Sequence, residues 1–402
     1  MAEIAFDRLS LIGWTVTAAA SGLLVVASDT SVSQIFVGAA ALALAQLIRV
    51  PTPSGDSLDV GLAVAAAVPL LIDEPVAVAA IYAIGLLAGS LIRFRREGAE
   101  SSGSRFLISA VGLSVYGTMF FITKAQLEGT AAEANAVLLS SVAAAGLAWF
   151  VSTSALRAVA RYRHDRFAIR YLWLLGLSDW TAVVGLVAAG ALFGFTHEAM
   201  GFWALPMAAM AYGFSHLAFV RYYGTKMTYG QTIGALSRIP EAAELTPQGH
   251  STRTARIARA ISQELGLTPG EVTEIEYGAL MHDIGRITLN EQAVVEAGYT
   301  DEDIAGWSAE IAAEAPYLAT VASMIRQQYH PYRQPGEEMD ESLPAGSKII
   351  KVASAYDHAI TEVGLAPVEA VELLHRGAAY DFDPRIVRSL RRVIAHEGLI
   401  AY

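Results

Sequence analysis

Residues 279–287 read ALMHDIGRI, a stretch that sets a His–Asp pair among apolar residues. The preceding run, residues 273–280, predicts a helix that Gly285 ends. His282 and Asp283 therefore lie near the end of this helix. Imidazole and carboxylate groups are ligands for divalent metal ions, but one such dipeptide also occurs by chance. Its meaning depends on the rest of the chain.

The composition predicts a membrane portion. Of the 402 residues, 54% are hydrophobic and 17% are charged, and the mean hydropathy is +0.41, so the chain is more apolar than soluble domains usually are. The formal net charge of -11 is the opposite of the basic surface that a nucleic-acid polymer needs, so we expect no such partner. The chain contains no cysteine, so any metal must be bound by His and carboxylate groups.

The apolar residues concentrate in residues 1–225. A transmembrane helix needs about 20 mostly apolar residues, and the stretches that qualify, or nearly qualify, are Leu9–Ser28, Ser33–Ile48, Leu58–Ile72, Pro75–Ile92, Phe106–Thr123, Ala134–Leu156, Tyr171–Phe195 and Met200–Val220. The second and third are short. The sequence therefore predicts an all-α protein that begins with a polytopic helical membrane bundle of about eight spans in the lipid bilayer.

The charges between these stretches orient the bundle. In this arrangement one side carries Arg8, Arg49, Arg93, Arg95, Arg96, Arg105, Arg157, Arg161, Arg163, Arg166, Arg170, Arg221 and Lys226. The connections on the other side are acidic, with Lys124 as their only basic residue. The positive-inside rule then predicts a multi-pass protein of a bacterial-type inner membrane, with both termini in the cytoplasm.

One carboxylate falls inside a predicted span. Asp179 lies part-way into the seventh apolar stretch, and an ionisable group at that depth is a functional candidate because its burial in lipid is costly. One hypothesis is a transport-type membrane domain with Asp179 in its pathway, regulated by the cytoplasmic part. The other is that Asp179 only forms a hydrogen bond to a neighbouring helix.

The character of the sequence changes after Lys226. From Thr228 onward charged residues are frequent and apolar residues recur at helical spacing, without an alternating strand pattern. We therefore expect a juxtamembrane linker helix over residues 226–247 and a cytoplasmic, all-helical domain over residues 248–402. Because a signal would pass along this linker, a parallel homodimer is the default expectation.

Two imidazoles and a carboxylate predict a metal site in this domain. His250 begins another helix upstream of His282 and Asp283, and these three groups would form half the ligand shell of a divalent ion such as Mn, Fe or Zn. Such an ion lowers the pKa of a bound water and directs the hydroxide at phosphorus. The alternative is that the three side chains join helices by hydrogen bonds alone.

Four segments resemble the HD superfamily of metal-dependent phosphohydrolases, and within it the HD-GYP branch, whose characterised members hydrolyse cyclic dinucleotides. In chain order they are GHSTRTARIARAISQELGL from residue 249, IEYGALMHDIGRITL from 275, KIIKVASAYDHAIT from 348 and AAYDFDPRIVRSL from 378. The resemblance implies that His250, His282 and Asp283 are metal ligands. Arg286 stands where the branch usually has Lys, which keeps the charge but changes its geometry.

Other positions depart from the family pattern. Ser308 stands where a ligand His is expected, and Ser354 where a metal-binding Asp is expected. The segment QQYHPYRQPG, residues 327–336, keeps one His in place of the paired His and GYP motif. A two-metal site would lack ligands, so we expect a one-metal site completed by Asp357 or His330.

Arginine is expected to bind the phosphates, because its guanidinium fork matches their geometry. Asp283 and Arg286 are the expected catalytic residues, and Arg286 and Arg326 the expected phosphate ligands. Further candidates are Arg253, Arg256 and Arg333. The resemblance implies a membrane-anchored signalling phosphohydrolase that acts on a nucleotide second messenger such as a cyclic dinucleotide. A degenerate HD domain that binds a nucleotide or a protein without turnover is the alternative, beside the regulated transporter.

Overall fold

The computed structural model describes residues 2–97, 102–130, 133–165, 167–334, 336 and 342–397. The chain divides into two compact units, Met1–His164 with Leu175–Tyr223 and Asp165–Leu174 with Gly224–Tyr402. Helices account for most of the described residues in both units. The predicted all-α class is therefore confirmed.

Apolar helices dominate the first part of the chain. They are α1 (Ala2–Ala27), α2 (Val32–Ala45), α3 (Gly61–Leu71), α4 (Pro75–Glu97), α5 (Ser102–Leu127), α6 (Ala134–Asp165), α7 (Ile169–Leu177), α8 (Trp180–Met200) and α9 (Ala204–Leu236). An antiparallel hairpin of β1 (Arg49–Pro51) and β2 (Ser57–Asp59) lies between α2 and α3. It forms at PTPSG, residues 51–55, where Pro, Ser and Gly favour a turn.

Glycines allow close packing in the first unit. A Cβ atom at Gly85 of α4 would lie 2.8 Å from the Leu42 side chain and 2.9 Å from the Ala39 carbonyl oxygen of α2. Gly190 of α8 leaves even less room beside the Ala63 carbonyl oxygen of α3. Small residues at such crossings bring apolar helices into direct backbone contact.

Four helical stretches of the described residues are long and apolar enough to cross a membrane, namely Pro75–Arg95, Gly103–Leu127, Ala134–Tyr162 and Ile169–Ala242. Shorter apolar helices cover Ile12–Ala27, Val32–Ala45 and Gly61–Leu71. Large apolar side chains, among them Val26, Val37 and Phe214, are exposed on these helices. The count of about eight spans stays a prediction, as does the side on which the termini lie.

The seventh predicted span is not a single helix. Helix α7 ends at Leu177 and α8 begins at Trp180, so Asp179 lies in the break between them rather than part-way along a continuous span. The first residues of the predicted span belong to the second unit. There the Tyr171 hydroxyl accepts a hydrogen bond from Nε2 of Gln263 (3.1 Å), a long-range contact that hydropathy does not reveal.

The Asp179 carboxylate accepts hydrogen bonds from the turn of the β1–β2 hairpin. It is fully buried and accepts hydrogen bonds from the backbone N (3.0 Å) and Oγ (2.8 Å) of Ser54, which lies in the turn between β1 and β2. Arg157 of α6 lies 3.7 Å from the same carboxylate. These partners account for the burial of Asp179 without a transported solute.

The predicted linker is not a separate helix. Helix α9 runs without interruption from the last predicted span to Leu236, because no proline follows Pro206 within it, and the short α10 (Ile239–Ala242) comes next. In the second unit, Ile233 belongs to a buried cluster with Met281. Tyr229 stacks on Tyr317, with ring centroids 4.4 Å apart.

The second unit continues with α11 (His250–Glu264), α12 (Pro269–Met281), a 3-10 helix (Ile284–Asn290), α13 (Gln292–Ala297), α14 (Asp301–Ala313), α15 (Ala319–Arg326), α16 (Ala345–Thr361), α17 (Pro367–Arg376) and α18 (Pro384–Glu397). Capping boxes at Thr268 and Thr300 begin α12 and α14, because each hydroxyl accepts from a backbone N–H three residues on. These local signals set where the helices begin.

The core of the second unit aligns α11, α12 and α16. It contains Ile257 and Ile261 of α11, Ile275 of α12 and Ile350 of α16, all buried. Full burial of each such side chain stabilises the fold by about 1.5–3 kcal/mol. This packing brings polar side chains together in one buried site. They come from the start of α11, the end of α12 and the middle of α16.

Candidate metal centre

Three polar side chains converge in the second unit. His250 is the first residue of α11, preceded by Gly249, whose φ of 75° favours glycine. His282 ends α12, and Asp283 precedes the 3-10 helix. Their exposed fractions are 5%, 1% and 3%. Polar groups as deeply buried as these require partners.

The potential ligand atoms of the three residues lie within 4.8 Å of one another. Nε2 of His250 is 3.3 Å from Nε2 of His282. Asp283 Oδ2 lies 3.8 Å from the first nitrogen and 3.7 Å from the second. Ligands bound tetrahedrally at about 2.0–2.2 Å are about 3.3–3.6 Å apart from each other, so these separations are close to those of ligands of one ion.

The other ring nitrogens determine where the protons are. Asp357 Oδ2 accepts a hydrogen bond from Nδ1 of His250 (2.7 Å), and the Ala279 carbonyl oxygen accepts one from Nδ1 of His282 (2.8 Å). In the neutral rings each Nε2 therefore presents a lone pair. Two lone pairs facing each other at 3.3 Å, beside a carboxylate, form a donor set that a cation satisfies.

The charges agree with this arrangement. Burial lowers the pKa of His282 below its ordinary value, which favours the neutral, ligating form. Burial acts to raise the pKa of Asp283, but His282, Arg286 and His250 outweigh it and leave that pKa lowered. Asp283 Oδ1 is buried and has no hydrogen-bond partner. An ionised carboxylate therefore has one oxygen that no protein donor satisfies.

Asp357, predicted as a metal ligand, lies behind His250. Its carboxylate contacts Nδ1 of the His250 ring, on the opposite side from Nε2. It also accepts hydrogen bonds from Nε (2.7 Å) and Nη2 (3.0 Å) of Arg253. Burial opposes ionisation of Asp357, but the bonds from His250 and Arg253 lower its pKa. Asp357 thus orients His250, as carboxylates behind metal-ligating histidines do.

The remaining predicted site residues separate into two groups. Arg286 is beside the centre, with Nε 3.0 Å from Asp283 Oδ2. The His330 side chain is exposed, and its backbone carbonyl accepts a hydrogen bond from Lys351 (3.1 Å). Arg326 is exposed at the end of α15. The structure therefore brings Arg286 to the three ligand candidates, but not His330 or Arg326.

Two serines occupy the positions where the family resemblance implies ligands. The Ser354 hydroxyl lies 3.3 Å from Nε2 of His282, on the inner side of the site. Ser308 is fully buried, and its Oγ accepts a hydrogen bond from the Gly285 backbone N (2.8 Å). That contact holds the turn after Asp283 against α14. Alignment with the family pattern identified both positions, although not these roles.

Residues after α15 also line the site without a clear sequence signal. Gln328 Nε2 donates to the His282 carbonyl oxygen (3.1 Å). Burial raises the pKa of the Tyr329 phenol, which contacts Arg286. Both belong to the segment that departs from the family motif, so spacing alone did not distinguish them from surface residues.

Comparison with known proteins relates part of the chain to a known family. Residues 248–359 match the family model of the HD domain. The chain is 25% identical over 176 residues to the cyclic di-GMP phosphodiesterase response regulator RpfG of Xanthomonas campestris pv. campestris, across 39% of this chain and 47% of that protein. The chain thus spans about half the length of that relative.

Among solved structures, an HDG"Y"P protein from Bdellovibrio bacteriovorus aligns with 54% of this chain and 72% of its own, at 18% identity and a TM-score of 0.32. The family match falls on helices of the second unit. The predicted HD resemblance is confirmed over the matched range. Residues 248–359 of this chain therefore form an HD domain.

Proposed function

We propose that this protein is a membrane-anchored signalling phosphohydrolase whose HD domain cleaves a phosphodiester in a nucleotide second messenger of the cyclic dinucleotide class. The observation that carries the proposal is the pair of Nε2 lone pairs of His250 and His282, 3.3 Å apart beside Asp283. The similarity to a protein named a cyclic di-GMP phosphodiesterase supports the substrate class.

His250, His282 and Asp283 would hold a divalent ion, of which Mn, Fe and Zn all suit imidazole and carboxylate ligands. The chemistry that such an ion supplies is activation of water and neutralisation of phosphate charge. With Asp357 and Ala279 fixing the ring protons, both imidazoles keep their lone pairs on the same side. The chain therefore orients its ligands before substrate arrives.

Arg286 would receive the phosphate. Its side chain is 26% exposed, and its Nε is paired with Asp283. The remaining guanidinium N–H groups can donate to a phosphate oxygen beside the ligands, which suits the planar fork of arginine. Asp283 would thus serve twice, as a ligand and as the group that positions Arg286.

The first unit would anchor the protein in a bacterial-type inner membrane with both termini in the cytoplasm. Its long apolar helices and exposed apolar side chains support insertion into lipid, and the distribution of arginines supports the orientation. A homodimer remains the proposed assembly.

A second candidate function is binding of a nucleotide without turnover. It is favoured by Ser308 and Ser354, which stand where the HD-GYP pattern has ligands and leave three ligand candidates in the described part of the site. Three protein ligands and water still make a catalytic set for one ion, which is why hydrolysis is the first proposal.

The test uses the full-length protein in detergent. Bound metals are measured by mass spectrometry, and hydrolysis of cyclic di-GMP, cyclic di-AMP and linear dinucleotides is followed with Mn²⁺ added. We expect bound metal and turnover in the wild type, both lost in His282→Ala. His358→Ala, which removes an exposed His of α16, is the matched control. Substrate binding without turnover at any metal concentration would favour the second candidate; absence of metal and binding would overturn both.

A further inference from the structure

The juxtamembrane segment, residues 233–241, covers the end of α9 and the first residues of α10. It precedes the range 248–359 that matches the HD domain, yet every fourth side chain in it is buried. The exposed fractions are 1% for Ile233, 2% for Ser237 and 9% for Glu241, whereas most residues between them are exposed. A spacing of four gives a helical segment one buried face, so this segment packs onto the second unit.

Ile233 shares its buried surroundings with the neighbours of the His–Asp pair. It belongs to one hydrophobic cluster with Met281 and Ile284, the residues directly before His282 and directly after Asp283. Helix α10 packs against the 3-10 helix that begins at Ile284. The juxtamembrane segment is thus part of the packing on both sides of the pair.

Glu241 supports the start of α11. Its Oε1 accepts a hydrogen bond from the backbone N of Ser251 (3.3 Å), the residue after His250. The first backbone N–H groups of a helix have no acceptor within the helix, and the N-cap residue of α11 is Gly249, which has no side chain to accept from them. The buried carboxylate of Glu241 supplies an acceptor, and its charge suits the positive end of the helix dipole.

A second contact joins the segment to the same residue of α11. The Ser251 hydroxyl donates a hydrogen bond to the Ser237 carbonyl oxygen (3.4 Å). Ser251 is 1% exposed, so water does not replace either acceptor if the segment moves, and a buried polar group without a partner is costly. The position of the first turn of α11 therefore depends on the juxtamembrane segment.

We propose that the juxtamembrane segment is a positioning element of the metal centre, which sets the separations of the three ligand candidates through the residues beside them. The inference rests on the proposed function, because it requires an ion at His250, His282 and Asp283. It adds that the affinity for this ion is controlled from outside the range that matches the HD domain. The controlling segment includes the end of α9, the helix that begins at Ala204 in the last predicted span.

Ile233 and Glu241 act through their neighbours and not as ligands. In the described part of the chain, the potential ligand atoms found within 4.8 Å of one another belong to His250, His282 and Asp283. Ligands must be held within about 0.5 Å of the productive geometry, so a shift of the residues beside them is enough to weaken binding. Loss of a supporting contact around a metal site typically costs about 10–100-fold in affinity.

The test is performed on the full-length protein in detergent. Zn²⁺ affinity is measured by competition with a chelating dye, and the visible spectrum of bound Co²⁺ reports the ligand geometry. We expect Glu241→Ala and Ile233→Ala each to weaken Zn²⁺ binding by about tenfold or more and to change the Co²⁺ spectrum. Glu241→Gln, whose amide oxygen can still accept from Ser251, and Ile233→Val should bind more tightly than the corresponding alanine variants. Near-UV circular dichroism verifies that each variant is folded.

The matched controls are Glu244→Ala and Leu236→Ala, at exposed positions close to the two tested residues, and both should bind as the wild type does. If one tested alanine variant does not fold, the other decides. Unchanged affinity and Co²⁺ spectrum of the folded alanine variants, or an equal loss in the controls, would overturn the inference while the proposed function stands. A wild-type protein that binds no metal would overturn both.

Discussion

The Nε2 atoms of His250 and His282 lie 3.3 Å apart, and the hydrogen bonds at their Nδ1 atoms leave a lone pair on each. Residues 32 positions apart in the chain thus present two bases to each other inside the protein. Without a cation or a proton between them, they repel. This relationship makes the site's dependence on metal, on pH and on its supporting residues predictable.

Chelation should destabilise the HD domain. An ion present at 100 times its Kd contributes about 2.7 kcal/mol to the folded state. Its removal leaves the two Nε2 lone pairs facing each other, with the Ser354 hydroxyl beside that of His282. We expect the unfolding transition of the HD domain in the full-length protein to shift to lower temperature with EDTA and to recover with Mn²⁺ or Zn²⁺. His282→Ala should show no shift with either treatment. An identical Tm of the wild type with and without EDTA would contradict the metal site.

Asp357→Asn should weaken metal binding without removing a ligand. The amide cannot hold the Nδ1 proton of His250 as the carboxylate does, and it loses its charge pairing with Arg253. Changes behind a metal-ligating His cost about 10–100-fold in affinity. Competition with a chelating dye measures that affinity. Asp381→Asn, at an exposed position in the same domain, should leave it unchanged; a similar loss in both variants would mean a general effect of charge.

Arg286→Ala should impair turnover more than metal binding. If Arg286 holds the phosphate, its loss removes a charge-assisted contact and lowers kcat/KM by about 10–100-fold, while the metal content stays close to that of the wild type. Arg259→Ala, in an exposed pair with Glu276, serves as the control. Steady-state kinetics on the preferred cyclic dinucleotide and metal analysis of the same samples give both quantities. Full activity of Arg286→Ala would exclude this role.

Acid should destabilise the metal-free protein through His282. Burial places the folded-state pKa of His282 below its ordinary value of 6.5, so the unfolded chain takes up a proton more readily. The contribution of His282 to stability is therefore complete above about pH 6.5 and is lost as the pH falls through the folded-state pKa. Thermal unfolding in EDTA across pH 7.5 to 5 measures this slope, which His282→Gln should reduce. An equal slope in both proteins would show that other groups are responsible.

Asp179→Asn should destabilise the first unit. The carboxylate accepts two bonds from Ser54, and loss of its charge weakens both, at a cost of about 1–3 kcal/mol. A double-mutant cycle with Ser54→Ala should show coupling, because the residues are in direct contact. Thermal unfolding in nanodiscs provides the measurement. Unchanged stability of Asp179→Asn would contradict the structural role of Asp179 and favour a role in transport.

Local signals predicted the overall class well. The apolar stretches became helices because hydrophobic length and helical periodicity are properties of contiguous residues. The starts of α12 and α14 were encoded by Thr268 and Thr300 with their acidic partners three residues on. The break at Asp179 was not predicted, since Ser178 and Asp179 are too short an interruption for a hydropathy window to resolve.

The sequence by itself determined the all-helical architecture, the contrast between an apolar first part and a charged second part, and the ligand candidates His250, His282 and Asp283. Only the tertiary structure decided what surrounds them. It placed Asp357 behind His250, 107 residues away, left His330 outside, and brought the end of α9 to the residues that flank the ligands. The physical reason is that helix formation depends on residues that are neighbours in the sequence. Which ring nitrogen of His250 the Asp357 carboxylate contacts depends instead on how helices distant in the sequence pack together.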